Sequence, residues 1–242
     1  MNKNQTPFGY LIWAEQTKGE FMLIAGIDEA GRGPCFGPMT IGISVMEKDT
    51  EKELKKLGVK DSKEILPNKR KALIESIKAN CIEHKVLILE PIEINDLMTQ
   101  HSLNEIEAIK IAELINGLKS KPEIVYIDSP DAVKGAFEKR IRKYLNKHHE
   151  KTKIIAENKA DSKYIVVGAA SILAKVKRDE EIEQLSEKFG NIGSGYPSDP
   201  TTKKFLADYV EKHKKLPPFS RIFWSTCTKA LDKIGTTQTK LF

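Results

Sequence analysis

Several features that define common protein classes are missing from this 242-residue chain. Its three cysteines, Cys35, Cys81 and Cys227, are too few and too far apart for a disulfide framework or a zinc knuckle, which favours a reducing compartment. The five histidines show no metal-ligand spacing. No apolar run approaches the length that a membrane-spanning helix needs, and the polar start has no signal-peptide pattern. We therefore expect a soluble, cytoplasmic protein that does not contact a membrane.

What the chain does have is charge of both signs on a globular composition. Charged residues make up 31% and hydrophobic residues 40% of the sequence. Lysine and arginine outnumber aspartate and glutamate by 40 to 34, so the net charge is +6. A basic balance of this kind suggests a polyanionic partner such as nucleic acid. The length fits one domain with an appendage.

The order of apolar runs and amphipathic segments predicts an α/β fold. Apolar, often β-branched runs predict five strands, at 21–28, 39–46, 85–90, 124–128 and 153–156. Helical patterns lie at 51–57, 67–79, 102–118, 132–146, 165–188, 201–213 and 219–234. The first two strands are close enough for an antiparallel pair, whereas the later strand–helix alternation is typical of parallel crossovers. We therefore predict a mixed five-stranded sheet flanked by helices.

Changes in composition divide the chain into four parts. Residues 1–20 form an N-terminal extension of unknown role, and residues 21–190 carry the predicted sheet and its helices. A loop rich in glycine and proline then leads into a helical C-terminal subdomain, residues 191–235. Residues 236–242 are polar except at their end, which indicates a flexible tail.

The most informative segment is the loop from Asp28 to Pro34. A buried strand ends there in Asp28 and Glu29, and the chain then turns through Gly31-Arg32-Gly33. Buried carboxylates need a cation or a hydrogen-bond donor, and their hard oxygens suit Mg²⁺ or Mn²⁺. The loop offers backbone amides and one guanidinium to a phosphodiester or a ribose hydroxyl. A dinucleotide-binding glycine loop fits poorly because its spacing is one residue shorter and the prolines obstruct a following helix, but an ordinary acidic turn stays open.

Four carboxylates are predicted to share one crevice. Each stands where a predicted strand runs out into a loop: Asp28, Glu29, Asp128 and Asp161. Strand ends of an open α/β sheet converge on the crevice where ligands bind. Two divalent cations held there could activate a water and stabilise the leaving oxygen of a phosphodiester. The alternative is that a carboxylate only caps a helix, and Asp161 is the best case because it precedes a long helix.

Six motifs in this order resemble those of ribonuclease HII. They are DEAGRGP at 28–34, KDSK at 60–63, YIDS at 126–129, KAD at 159–161, AASILAKV at 169–176 with Arg178-Asp179, and GSGYPSD at 193–199. The resemblance covers roughly residues 22 to 230 and is closer to the archaeal version, and to the eukaryotic catalytic subunit, than to the bacterial one. Two departures are Gly168 in place of serine and Asn158 where the archaeal version often has histidine.

The resemblance implies a ribonuclease H-like fold and a metal-dependent endoribonuclease. Such an enzyme cleaves the RNA strand of RNA/DNA hybrids and incises 5′ of single ribonucleotides in duplex DNA, leaving 3′-hydroxyl and 5′-phosphate ends. By the same resemblance, Asp28, Glu29, Asp128 and Asp161 form the catalytic set that binds two Mg²⁺ or Mn²⁺ ions. The Gly31-Arg32-Gly33 backbone reads the 2′-hydroxyl. Tyr196 packs on the sugar, and phosphate contacts are assigned to Lys63, Ser171, Lys175 and Arg178.

The last residues resemble a short peptide that recruits replication proteins to sliding clamps. Gln238, Leu241 and Phe242 supply its glutamine and two apolar anchors, although a tail without a partner stays open. Two other functions also stay open: another nuclease on the same fold, such as a junction resolvase, and a non-catalytic nucleic-acid-binding subunit. The absence of a long C-terminal extension favours an archaeal-type monomer over a subunit of a eukaryotic-type complex.

Overall fold

The computed structural model describes residues 22–59 and 65–238, with side chains through residue 232. Its centre is a five-stranded sheet with the order β3-β2-β1-β4-β5. The strands are β1 (Leu23–Ala30), β2 (Met39–Glu47), β3 (Glu83–Leu89), β4 (Ile124–Asp128) and β5 (Lys153–Glu157). Strand β2 runs antiparallel to β1 and β3, while β1, β4 and β5 run parallel. The predicted mixed sheet is confirmed, and every predicted strand end lies within two residues of the observed one.

Helices cover both faces of the sheet. They are α1 (Thr50–Lys56), α2 (Pro67–Asn80), α3 (Pro91–Leu97), α4 (Leu103–Asn116), α5 (Ala136–Arg142), α6 (Ala160–Lys163), α7 (Ile165–Phe189), α8 (Pro200–His213) and α9 (Ser225–Gln238). The capping serine predicted for α4 is confirmed, since the Ser102 hydroxyl accepts the amide of Glu105 at 3.3 Å. None of the described helices is long and apolar enough to cross a bilayer.

Three predictions of local structure are wrong. The predicted helix at 132–146 shrinks to α5, because Gly135 adopts a left-handed φ of 76° directly before it. Helix α9 begins at Ser225 rather than at residue 219 and continues to Gln238, so residues 236–238 of the predicted flexible tail are helical. One glycine weakens a helix by about 1 kcal/mol but does not end it when no proline follows. The short helix α3 was missed because only Pro91 and Ile94 of its residues are buried.

The sheet separates two hydrophobic cores. On one face, α4 and α5 pack over the apolar residues of β1, β2 and β4; on the other, α7 packs with α1 and α2. Helix α7 approaches the sheet at backbone distance, because a Cβ added at Gly26 would lie 2.3 Å from the carbonyl of Val166, and one at Gly42 would lie 2.4 Å from the Ala170 oxygen. This helix therefore packs in direct backbone contact with the strands that carry the candidate site, which leaves it little room to move.

A third apolar cluster joins the C-terminal helices to the loop after β1. Phe36 packs edge-on against Phe205 and Phe219, with ring centroids 5.9 Å and 5.4 Å away. Phe36 also forms an isolated antiparallel bridge with Ser220. The C-terminal helices are thus attached directly to the segment that follows the predicted site.

Candidate active site

Carboxylates from two adjacent strands meet at one edge of the sheet. Asp28 and Glu29 lie in β1 and Asp128 ends β4, and one oxygen from each lies within 4.8 Å of the others. They meet because β1 and β4 are neighbouring parallel strands. Asp161 is buried and close enough to Asp28 to affect its pKa. It lies inside α6 and is not the N-cap residue, which is Lys159, so the helix-capping alternative does not describe it.

Backbone and side-chain hydrogen bonds orient this acidic cluster. The amide of Ala160, at the start of α6, donates to Asp128 Oδ1 at 2.8 Å. The Asn158 side-chain amide donates to the carbonyls of Ser129 and Asp131, at 2.7 Å and 3.1 Å. Asn158, one of the two departures from the resembled motifs, therefore ties the loop after β5 to the loop after β4.

The electrostatics of the cluster call for a cation. Burial, followed by repulsion from Glu29, raises the pKa of Asp28 well above its usual range, and a hydrogen bond from Ser171 opposes this shift. Burial and then repulsion from Glu107 raise the pKa of Glu29 to about 8. A donor set made only of carboxylate oxygens fits Mg²⁺ or Mn²⁺, whose charge would stabilise the ionised forms. The residues present therefore fit the divalent metal site expected from the sequence.

The Gly31–Gly33 loop lies beside this cluster, and its first glycine is required. Gly31 has a φ of +83°, and a Cβ there would lie 2.3 Å from Arg178 Nε. Gly33 is exposed and faces Tyr196, since a Cβ at Gly33 would lie 3.6 Å from Tyr196 Cε1. The loop and the tyrosine ring thus form one continuous surface next to the carboxylates.

The guanidinium of Arg32 is held by α4 and is only partly exposed. Its Nε donates to Glu107 Oε1 at 2.7 Å, and its Nη2 donates to Asn104 Oδ1. Glu107 itself is 2% exposed. The Arg32 side chain therefore fixes the loop on the α4 side, and Gly33 is the exposed residue of the loop.

Tyr196 is presented by a stiff loop. Its ring is 37% exposed, with the Arg178 guanidinium 5.2 Å from the ring centroid. Asp199 accepts hydrogen bonds from the Ser194 amide and hydroxyl, both at 2.7 Å, and from the Thr201 amide at 2.8 Å. These donors lower the pKa of Asp199 to about 2, so the carboxylate that closes the loop stays ionised. The structure places the ring beside Gly33, and its contact with a sugar stays a prediction.

Two of the residues assigned to phosphate contacts have a different environment. Ser171 is 4% exposed and hydrogen bonds to Asp28, while Arg178 is 5% exposed and donates to the Ser194 carbonyl at 2.9 Å. Both bond to protein groups instead of presenting an open surface to phosphate, because α7 is pressed against the sheet. Lys175 is half-buried. Lys63 lies outside the described residues.

Sequence reasoning missed three residues that hold the loop: Glu107, Arg221 and Trp224. Glu107 offers one signal, because it is a charged residue placed between Ile106 and Ala108, two buried positions of α4. Arg221 and Trp224 contact the loop from more than 180 positions away along the chain, and nothing local marks them.

Comparison with known proteins gives matches over most of the chain. The family model of ribonuclease HII matches residues 25–227. Ribonuclease HII of Methanocaldococcus jannaschii is 47% identical over 230 residues, which is 91% of this chain and 99% of that protein. The crystal structure of ribonuclease H2 from Pyrococcus horikoshii superposes with a TM-score of 0.82 at 42% identity, over 88% of this chain and 99% of that one. A ribonuclease HII from Archaeoglobus fulgidus, solved in complex with PCNA, matches with a TM-score of 0.76 at 39% identity, over 86% of this chain and 96% of that one.

Proposed function

The chain belongs to the ribonuclease HII family of endonucleases, and we propose that it hydrolyses the RNA strand of RNA/DNA hybrids and incises duplex DNA 5′ of single ribonucleotides. One observation carries this proposal. A carboxylate cluster suited to divalent cations is followed directly by the glycine loop, whose exposed Gly33 faces the Tyr196 ring, so a metal-ligand set and a surface for a sugar lie close together. A nuclease that does not distinguish RNA from DNA needs the metal-ligand set but does not need a surface that recognises the ribose.

Asp28, Glu29, Asp128 and Asp161 are the residues that would hold Mg²⁺ or Mn²⁺. Such ions supply Lewis-acid activation of water and charge stabilisation at the leaving oxygen. The chain's own contribution is to keep the carboxylates oriented: the Ser171 hydroxyl hydrogen bonds to Asp28 and the Ala160 amide donates to Asp128. Departure of the 3′-oxygen leaves the 3′-hydroxyl and 5′-phosphate ends expected for this family.

Recognition of the ribose is assigned to the loop and Tyr196. The 2′-hydroxyl is the group that separates RNA from DNA, and it both donates and accepts hydrogen bonds. The exposed Gly33 backbone can bond it because no side chain intervenes. The Tyr196 ring, supported from behind by Arg178, offers a flat apolar face to the sugar.

The proposal is tested with three labelled duplexes: all-DNA, DNA carrying one ribonucleotide, and an RNA/DNA hybrid. With Mg²⁺ or Mn²⁺ we expect cleavage of the last two, with the single-ribonucleotide duplex cut on the 5′ side of the ribose. EDTA should stop both reactions, and adding Mg²⁺ back should restore them.

Each other pattern of cleavage contradicts a definite part of the proposal. Cleavage of the hybrid alone would remove ribonucleotide incision and the role given to Tyr196. Cleavage of the all-DNA duplex would favour another nuclease on the same fold. If none of the three duplexes is cleaved, the hypothesis of a non-catalytic nucleic-acid-binding subunit is favoured.

The tail is proposed to bind a sliding clamp. The support is the Archaeoglobus fulgidus relative, whose structure was solved in complex with PCNA, together with the sequence of Gln238, Leu241 and Phe242. Gln238 ends α9, while Leu241 and Phe242 lie outside the described residues. The helix places the start of the peptide on the C-terminal subdomain, and two apolar anchors can insert into a groove of a partner.

Replacing Leu241 and Phe242 by alanine should weaken binding to immobilised PCNA at least about tenfold, because burying each apolar side chain contributes about 1.5 kcal/mol or more. Lys240→Ala is the matched control in the same peptide and should retain binding. Both proteins should cleave a short duplex at the wild-type rate. Equal PCNA affinity of the double variant and wild type would remove the tail from the interaction.

A further inference from the structure

A short C-terminal segment pairs with the chain directly after the glycine loop. The amide of Gly37 donates to the Phe219 carbonyl at 3.0 Å, and the amide of Arg221 donates to the Cys35 carbonyl at 2.9 Å. These two bonds enclose the isolated bridge between Phe36 and Ser220. Residues 219–221 therefore follow residues 35–37 as a neighbouring strand would, and they bring the next side chains up to the loop.

Arg221 is a fully buried cation whose side-chain hydrogen bonds go to backbone carbonyls of the glycine loop and of the segment after it. Its Nε and Nη2 donate to the Gly37 oxygen at 3.0 Å and 2.9 Å, and its Nη1 donates to the Arg32 oxygen at 3.1 Å. No described carboxylate forms an ion pair with it, and burial lowers its pKa to about 9. Its charge is felt by the buried Glu107, but no described carboxylate contacts it directly. A buried charge without a direct ion pair is costly to keep, so its presence indicates a role beyond filling space.

Trp224 holds the next carbonyl of the loop. Its indole Nε1 donates to the Gly33 oxygen at 3.1 Å, and its ring lies 5.0 Å from the Arg221 guanidinium. The carbonyls of Arg32 and Gly33 are thus both held from the C-terminal side. Two successive peptide units of the loop are fixed by side chains that lie outside the carboxylate cluster.

The geometry of the peptide bond turns this contact into an orientation of the amide. All peptide bonds of the described residues are trans, so the carbonyl of Arg32 and the N–H of Gly33 point in opposite directions. Holding the carbonyl against Arg221 directs the Gly33 N–H away from the protein body. Gly33 is exposed, and its amide donates to no group among the described residues. A donor that is fixed, exposed and unused is ready for a ligand.

We propose that Arg221 and Trp224 are positioning residues for ribose selection, which set the loop so that the Gly33 amide meets the 2′-hydroxyl of the ribonucleotide. This inference rests on the proposed function, in which the loop reads that hydroxyl. It goes beyond that function, because ribose selectivity then depends also on a segment that follows the catalytic core in the sequence. Arg221 and Trp224 use their donors on the loop, so they would act on the substrate only through it.

The test measures how strongly the protein prefers ribose in a bound duplex. Affinities for an all-DNA duplex and for the same duplex with one ribonucleotide are measured by fluorescence anisotropy, with Ca²⁺ in place of Mg²⁺ and a gel to verify that the duplex stays intact. The quantity compared is the Kd for the all-DNA duplex divided by the Kd for the duplex with one ribonucleotide, which is large when ribose is preferred. Trp224→Phe keeps an aromatic ring without the N–H donor, and Arg221→Lys keeps the charge but replaces the planar guanidinium, whose three nitrogens bond the two carbonyls, with a single ammonium. Thr228→Val is the matched control, because it removes one α9 hydrogen bond, to the Ser225 carbonyl at 3.1 Å, that does not touch the loop.

We expect Trp224→Phe and Arg221→Lys each to lower the ratio about tenfold, which is the effect of one misaligned hydrogen bond. Their affinity for the all-DNA duplex should stay at the wild-type value. Thr228→Val should keep the wild-type ratio. A wild-type ratio in folded Trp224→Phe would overturn the inference, and so would an equal loss of affinity for both duplexes. The proposed function fails in a different way: a wild-type protein that binds both duplexes equally does not read the 2′-hydroxyl, and the inference then falls with it.

Discussion

Replacing Asp128 by asparagine is expected to lower kcat on the single-ribonucleotide duplex by at least about a thousandfold. The substitution keeps the shape of the side chain and an oxygen that can accept the Ala160 amide, but it removes one charged ligand from the cluster. A metal ion contributes several kcal/mol to stabilising the transition state, and about 4 kcal/mol corresponds to three orders of magnitude. Single-turnover cleavage with saturating enzyme measures the effect without a contribution from substrate binding.

Thermal unfolding of Asp128→Asn separates this loss from a folding defect. Asp128 helps to raise the pKa of both Asp28 and Glu29, so removing its charge relieves repulsion, and the Tm in EDTA should equal or exceed that of wild type. Glu157→Gln is the matched control, since Glu157 is the register partner of Asp128 on β5 and its carboxylate pairs with Lys163 at 2.5 Å. Wild-type kcat in Asp128→Asn, or an equal loss in Glu157→Gln, would contradict the assigned metal site.

Gly26→Ala is expected to destabilise the fold by about 3 kcal/mol or more. The added methyl would lie 2.3 Å from the carbonyl carbon and oxygen of Val166 and 2.5 Å from the Val167 nitrogen. These are backbone atoms of α7 that cannot rotate away, so the helix must shift from the sheet. The shift would also strain the bond from the Ser44 hydroxyl to the Val166 carbonyl, which is 2.7 Å long. Urea unfolding measures the loss as a lower midpoint at constant slope.

Gly117→Ala tests whether the cost arises from the contact rather than from the loss of glycine. Gly117 follows α4 with a φ of −86°, and a Cβ there would meet only the Glu113 oxygen at 3.4 Å and the Leu114 oxygen at 3.7 Å. We expect its unfolding free energy to stay within about 0.5 kcal/mol of wild type. A similarly small change in the unfolding free energy of Gly26→Ala would mean that α7 can move away from β1 without loss of stability. That result would contradict the close packing of α7 on the sheet.

The sheet and most of the carboxylate cluster could be predicted because each depends on local pattern and strand direction. Apolar runs located all five strands, and the parallel ends of β1 and β4 bring Asp28, Glu29 and Asp128 together. The predicted strand ended at Asp28, whereas β1 continues through Glu29 to Ala30, which pairs with Thr40. A partner strand, which a single sequence does not reveal, decided that boundary.

The support of the glycine loop could not be predicted, because it comes from remote parts of the chain. Arg221 lies 189 positions from Arg32, and Trp224 lies 191 positions from Gly33. The sequence around them contains ordinary charged and aromatic residues of a helical subdomain. The packing of Phe36 against Phe219 and the backbone bonds between residues 35–37 and 219–221 bring that segment to the loop. The burial of Ser171 and Arg178 was unforeseen for the related reason that it depends on how closely α7 meets the sheet.

Helix α7 touches both halves of the site. Ser171 bonds to Asp28 in the carboxylate cluster, and Arg178, seven residues later on the same helix, lies against Gly31 of the loop. Seven residues are two helical turns, a length of about 10 Å that hydrogen bonds along the axis keep nearly constant. In the proposed function, one stiff helix therefore keeps a constant distance between the group that orients a metal ligand and the group that backs the ribose-reading loop. A displacement of α7 would disturb the metal site and the recognition loop together.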